Sequence, residues 1–182
     1  MPGPYKFETT AEEVVSDLKS SIAGKVVLTT GVSPGGLGAH FVEAIAVAQP
    51  KLLILAGRNK SKVEATAQKI AEISNSSVET RVLELDLGSL AKVREAAAAV
   101  NAYKESIDVL VNNAGIMATE YATTADGFEG QFGTNHVAPW LFTNLIMDKV
   151  LASKEPRIVN ISSDGFRMSP IRFWDVGFKV CL

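Results

Sequence analysis

The strongest chemical signal in this 182-residue chain is the run Thr30-Gly31-Val32-Ser33-Pro34-Gly35-Gly36-Leu37-Gly38. It follows a short β-branched apolar run, residues 25–30 (KVVLTT), and opens a helical stretch, residues 39–49. A loop that receives a dinucleotide's pyrophosphate needs glycine for three reasons. The chain turns sharply, the backbone approaches the phosphates with no Cβ in the way, and the helix packs close to its strand. The helix N-terminus then offers unpaired N–H groups and the positive end of its dipole. Gly31, Ser33, Gly36, Leu37 and Gly38 are therefore candidate cofactor contacts. A tight turn alone would also use glycine, but the position directly after the first strand of a βαβ unit favours a dinucleotide. The second strand ends Ala56-Gly57-Arg58-Asn59, with no carboxylate to bond a ribose 2′-hydroxyl. A guanidinium there can hold a 2′-phosphate through paired charge-assisted hydrogen bonds, so Arg58 points to NADP rather than NAD. Other chemistries lack their residues. His40, His136 and Cys181 are too far apart for metal-ligand spacing, so no metal is expected. Ser162-Ser163-Asp164-Gly165 lacks the glycine that a nucleophile elbow needs before its serine.

The elements that must position these residues alternate. Short apolar runs at 25–30, 52–56, 78–85, 107–111 and 157–161 read as strands. Helical periodicity separates them at 39–49, at 61–74 (with Val63, Ala67, Ile70 and Ile73 on one face), from Ser89 to about Tyr103, and over 126–152. Continuous apolar strands between helices of this length predict a parallel sheet covered on both faces, wound through right-handed crossovers into a Rossmann-like, doubly wound α/β domain over residues 24–182. Residues 1–23 read as an extension with one short helix, opened by the capping box Thr10–Glu13 and closed at Gly24. His40 and His136 read as structural histidines, the latter partly buried and hydrogen-bonded.

Composition excludes several classes. With 47% hydrophobic and 21% charged residues and a net charge of -2, the chain gives no electrostatic reason for a nucleic-acid partner. No stretch approaches the ~20 apolar residues of a membrane span. The N-terminus is polar and acidic rather than signal-like, and the single cysteine fits a reducing compartment, so a cytoplasmic location is expected.

Five ordered motifs lie between residues 24 and 170: Thr30, Gly31, Gly36 and Gly38; Asp86-Leu87 after the third strand; Asn112-Asn113-Ala114-Gly115 after the fourth; Asn135 within TNHVAPWLFTNLI; and RIVNISS ending at Ser163. Together they resemble the short-chain dehydrogenase/reductase family, with wording most similar to its retinol-dehydrogenase-like branch. The glycine motif departs from the family's by one additional residue. The resemblance implies hydride transfer between a nicotinamide and a carbonyl or alcohol on a fairly apolar small molecule. It implies that Asp86 and Leu87 lie by the adenine, that Asn113, Ala114 and Gly115 contact the cofactor, and that Ser163, rather than Ser162, polarises the substrate oxygen. Asn135 would keep a water in the proton relay. The family's proton donor is a tyrosine with a lysine four residues on, since a phenol of pKa ~10 needs a nearby cation to work near neutrality.

No such pair is present: Tyr5, Tyr103 and Tyr121 all precede Ser163, and Lys179 is the only lysine after it. The implied sheet order is 3-2-1-4-5-6-7, of which this chain supplies five strands. The expectation is a truncated, marginally stable product without turnover. Its fifth strand would be an open edge, and Phe166, Ile171, Phe173, Trp174 and Phe178 an exposed apolar patch. A non-catalytic nucleotide-binding or interaction module, pairing as a homo- or hetero-oligomer, is the alternative, and a fragment without function the third reading.

Overall fold

The computed structural model describes residues 5–179. Cys181, on which the redox reading rests, lies outside the described residues. Five parallel strands, β1 (Val26–Thr30), β2 (Leu52–Gly57), β3 (Glu79–Glu84), β4 (Val109–Asn112) and β5 (Arg157–Asn160), form one sheet in the order β3-β2-β1-β4-β5. This is the doubly wound arrangement expected from the alternation, with the implied order of the first five strands.

The two strands β1 and β2 are almost wholly buried because each covers both faces with helices. Val26, Leu28, Leu52, Ile54 and Leu110 point to one face, against α5 (Leu90–Asn101), α7 (Ala138–Leu145) and α8 (Met147–Leu151). Val27, Leu53, Leu55 and Val111 point to the other, against α3 (Leu37–Ala46) and α4 (Lys60–Ile73). Leu28, Leu52, Leu53, Leu55 and Leu110 are completely buried, each worth about 1.5–3 kcal/mol relative to exposure.

The helix boundaries depart from the sequence reading in informative ways. α3 begins at Leu37 rather than residue 39, because Gly36 serves as its N-cap. On α4 the buried face is Val63, Thr66 and Ile70, while Ile73 is exposed. Residues 126–129 are not helical. There the chain turns at Gly127 (φ +82), the Asp126 carboxylate accepts the Leu90 N–H at 2.7 Å, and Thr123 bridges Glu129. Helix then starts at α6 (Gly130–Phe132), passes through a π-helical turn (Gly133–Val137) and continues as α7 and α8.

The capping box forms as read: the Thr10 hydroxyl accepts the Glu13 N–H and the Glu13 carboxylate accepts the Thr10 N–H, opening α1 (Ala11–Asp17), which a short α2 (Lys19–Ile22) follows. Val15 of α1 is buried in the α3–α4 core cluster, and Glu12 pairs with His40 of α3 at 3.4 Å.

The two sheet edges differ in character. On β3, Arg81 pairs with Glu79 at 2.7 Å and Glu105 at 3.1 Å while its guanidinium lies 4.5 Å over the Tyr103 ring. On β5, Ile158 and Val159 are 39% and 43% exposed, an apolar edge among the described residues. Ile171, Phe173, Trp174 and Phe178 are exposed as expected.

The Arg81 hydrogen bond holds the Glu105 carboxyl below its ordinary value. A depressed carboxylate adds stability that is complete above its unfolded pKa, about 4.3, and is lost as pH falls through the folded value. Urea unfolding of wild type and Glu105→Gln across acidic pH should show a gap at neutrality that closes on acidification. A gap independent of pH would exclude this pair as its source.

Candidate active site

The site forms at the end of β1, where the strand order reverses: β2 and β3 lie to one side, and the chain then crosses to place β4 and β5 on the other. Thr30, at the end of β1, organises it. Its buried hydroxyl accepts the N–H of Asn113 at 3.1 Å and of Ala114 at 3.0 Å. The Asn113 amide returns two bonds, donating to the carbonyls of Thr30 (2.9 Å) and Gly31 (3.0 Å). The loop after β4 is thus clamped onto the glycine loop. That closeness explains two of the glycines. A Cβ at Gly31 (φ +75) would lie 2.7 Å from the Ala114 Cα, and one at Gly38 would lie 2.4 Å from the Asn113 Nδ2.

The additional residue in the glycine loop is absorbed by a turn. The Gly36 N–H donates to the Ser33 carbonyl at 3.1 Å across Pro34 and Gly35, and Gly35 has φ +78. Proline second and positive-φ glycine third are the requirements of a type II turn. Val32 is fully buried ahead of this turn, and its carbonyl accepts the Thr66 hydroxyl of α4 at 2.7 Å. No side chain caps α3 at Gly36, so its first N–H groups are left for a ligand.

One cavity of about 550 Å³ gathers Gly31, Ser33, Leu37, Arg58, Asp86, Leu87, Asn113, Ala114 and Gly115. Gly36 and Gly38 do not line it; they are the N-cap and the close-packing position of α3. The Asp86 carboxylate receives the Gly88 N–H at 2.9 Å through Oδ1. The same cavity includes Thr30, Asn59 and Lys62, which the sequence reading had not singled out as contacts.

A second cavity of about 770 Å³ shares Leu37 and the segment from Asn113 to Ile116 with the first, and adds Asn135, His136, Ser162 and Ser163. The structure therefore brings both candidate catalytic residues to the far end of one continuous crevice. Asn135 lies in the π-helical turn, where Pro139 has no N–H to offer the carbonyl four residues before it. Its side chain is fully engaged: the Ile116 N–H donates to it at 2.8 Å, and its amide donates to the Ile116 carbonyl at 2.7 Å. The Ser163 hydroxyl accepts the Gly165 N–H at 3.1 Å and keeps its own proton to donate. Asn112 ties β4 to its neighbours, donating to Thr143 and Asn160. His136 differs from expectation: it is exposed and stacks on Phe132, with ring centroids 5.4 Å apart, rather than being partly buried and hydrogen-bonded.

No tyrosine lines either cavity. Tyr121 donates to the Gly177 carbonyl, and burial pushes the Tyr103 phenol up, away from the range useful near neutrality.

Residues 25–173 match the family model described as short chain dehydrogenase. The chain belongs to the short-chain dehydrogenase/reductase family. Within it the similarity is to the retinol-dehydrogenase-like branch. Retinol dehydrogenase 13 of Homo sapiens is 41% identical over 162 residues, covering 88% of this chain and 48% of that protein. The short-chain dehydrogenase/reductase prx1 of Penicillium rubens is 37% identical, covering 93% of this chain and 50% of that one. The chain thus spans about half the length of these curated relatives. Among solved structures, an uncharacterized protein from Mycobacterium Paratuberculosis superposes with a TM-score of 0.71 at 34% identity, covering 87% of this chain and 53% of that one. A short chain dehydrogenase from Escherichia coli complexed with NADPH has a TM-score of 0.68 at 20% identity, over 83% of this chain and 63% of its own, a likeness of fold. Among the described residues no helix is long and apolar enough to cross a membrane.

Proposed function

We propose that this domain binds NADP and serves hydride transfer between the nicotinamide and a small, apolar carbonyl or alcohol compound. The observation that carries the reading is the single cavity joining the glycine loop, Arg58 and the segment from Asn113 to Gly115, in which β2 ends in Arg58 where a carboxylate would otherwise receive a ribose hydroxyl. The residues fit the cofactor because the start of α3 carries no side-chain cap and borders the cavity at Leu37.

In this reading the open N–H groups of the first turn of α3, beginning at Leu37, receive the pyrophosphate. Asp86, through its second carboxylate oxygen, accepts from the adenine amine beside Leu87. Arg58 and Ser33 receive the 2′-phosphate, and Ala114 and Gly115 line the path to the nicotinamide. When bound, NADPH supplies the hydride. Ser163 donates its hydroxyl proton as a hydrogen bond to the substrate oxygen, which polarises the carbonyl. Asn135, with its side chain pinned to Ile116, offers its backbone to the proton relay. The product oxygen also needs a proton, and none of the residues lining the crevice is a phenol with a lysine partner. The 182-residue chain is accordingly expected to hold the cofactor without turnover on aldehydes or ketones. A cytoplasmic location, following the single cysteine, belongs to the same reading.

Fluorescence titration of the purified chain tests the assignment. NADPH should bind more tightly than NADH, and Arg58→Leu should remove roughly tenfold of that preference. Equal affinity for the two cofactors would overturn the NADP reading, and turnover with NADPH would overturn the claim of inactivity. The exposed β5 edge favours the second reading, an interaction module that pairs through that strand. Retained NADPH binding with stable self- or hetero-association and no turnover would support it.

A further inference from the structure

We propose that β5 pairs with β5 of a second copy of this chain, antiparallel and two-fold symmetric about Val159, giving one continuous sheet of ten strands, five from each copy. This rests on the interaction-module reading above and gives it one partner and one register. It does not involve the cofactor cavity.

The two sheet edges are built differently. β3 carries Glu79, Arg81 and Glu84, and Arg81 is engaged by Glu79 and Glu105. Charges of this kind on an edge strand discourage the addition of another strand. Residues 158–163 (IVNISS) hold no charge, proline or glycine. Among the described residues no strand lies on the outer side of β5, and Arg157 to Asn160 are all exposed.

The ladder shows which groups that edge offers. β5 runs parallel to β4, with Arg157 opposite Val109 and Asn160 opposite Asn112. The Arg157 N–H donates to the Asp108 carbonyl at 2.9 Å, and the Ile161 N–H to the Asn112 carbonyl at 3.0 Å. Alternate residues of a strand serve opposite neighbours, so Arg157, Val159 and Ile161 bond toward β4 while Ile158 and Asn160 turn their N–H and C=O groups outward. An antiparallel partner takes up such groups as residue pairs that exchange both bonds. With the axis at Val159, Ile158 of each copy meets Asn160 of the other, and the outward groups of both are satisfied. The Asn160 side chain helps to fix this edge, since its oxygen accepts the Asn112 amide at 2.9 Å.

The side chains agree with that register. Val159 lies opposite Val111 and meets its own copy across the axis, as a non-hydrogen-bonded pair whose Cα atoms approach to about 4.5 Å. β-Branched residues paired in this way stabilise a sheet. Arg157 meets Ile161 of the other copy and can lay its aliphatic stem along it. The two arginines then sit at opposite ends of the pairing, whereas an in-register parallel pairing would set them side by side. On the other face, exposed Trp140 of α7 borders the same cavity as Asn160 and Ile161. The axis keeps α7 of both copies on one face of the joined sheet, where each indole gains cover.

Sedimentation of the purified chain at micromolar concentration should give a dimer. Val159→Lys and Val159→Glu each set like charges opposite one another and remove an apolar contact, so each alone should weaken dimerisation roughly tenfold or more. An equimolar mixture of the two should restore the dimer, which variants that fail to fold could not do. In a Cys181→Ser background, Val159→Cys should form an intermolecular disulfide on mild oxidation. Dimers that persist in both charge variants and give no cross-link would overturn pairing through β5, and with it the interaction reading. Assemblies larger than a dimer would overturn the closed two-fold, because that geometry uses up both edges. A monomeric chain that binds a synthetic peptide of residues 156–163 overturns self-pairing and leaves the interaction reading standing. A monomer that does not bind the peptide overturns both.

Discussion

Gly38→Val should abolish measurable NADPH binding while the chain still folds. Gly38 is the first-turn residue of α3 that lies against the clamp between the glycine loop and the segment after β4. A Cβ there would come within 2.4 Å of the Asn113 Nδ2 and 2.6 Å of the Gly31 carbonyl oxygen. Neither neighbour can yield freely, because the Asn113 amide is already bonded to the Thr30 and Gly31 carbonyls. The helix must move away from the strand, carrying with it the uncapped N–H groups proposed to hold the pyrophosphate. Overpacking of this kind costs about 1–3 kcal/mol, and if the displacement falls on the binding geometry the affinity drops roughly a hundredfold. Gly36→Ala is the matched control. Gly36 has φ −93, accessible to any residue, and its Cβ would meet only the Ser33 carbonyl at 3.2 Å. Titration of both variants with NADPH should show near-complete loss in the first and a small change in the second. Wild-type affinity in Gly38→Val would refute the assignment of this loop to phosphate.

The legibility of this site in the sequence follows from which residues work through shape and which through partners. β1 and β2 were readable because their side chains are buried on alternating sides, and only a parallel sheet between two helix layers demands that. Gly31 and Gly38 were readable because no side chain fits at their positions. The π-helical turn at Asn135 left no periodic trace, although Pro139 removes the N–H that an unbroken helix would have used. The start of α3 was misplaced because Gly-Leu-Gly has the composition of a loop, and only contact with the β4 loop makes it helix. Residues 126–129 read as helical only by continuity with the long helical segment that follows them. What bends them is Asp126 capping α5, a contact across 36 positions. His136 misled as well, since its neighbours suggested a helix interior and the crevice instead leaves it open.

Thr30→Val and Thr29→Val should have opposite effects on stability, although the residues are adjacent on β1 and both are buried. The Thr30 hydroxyl is the sole side-chain acceptor recorded for two backbone donors, the N–H groups of Asn113 and Ala114. Valine keeps the shape and leaves the Ala114 N–H without that partner, while the Asn113 N–H keeps only its bond to the Val111 carbonyl at 3.1 Å. An unsatisfied buried donor costs about 1–3 kcal/mol, and with one partly buried donor left unpaired the loss should be roughly 1–2 kcal/mol. The Thr29 hydroxyl is buried with no hydrogen-bond partner. Its replacement by valine removes a desolvated polar group and adds a methyl to the face shared with Val27 and Val111, so the change should be neutral or stabilising. Urea unfolding with matched slopes would separate the two cases. The same experiment bears on function, because the Thr30 hydroxyl is what joins the two loops on which the cofactor assignment depends. Thr30→Val should therefore weaken NADPH binding as well as folding, and Thr29→Val should leave binding untouched. Equal losses of stability in the two variants would mean that β-branched packing, rather than the hydroxyl's two bonds, holds the crevice together.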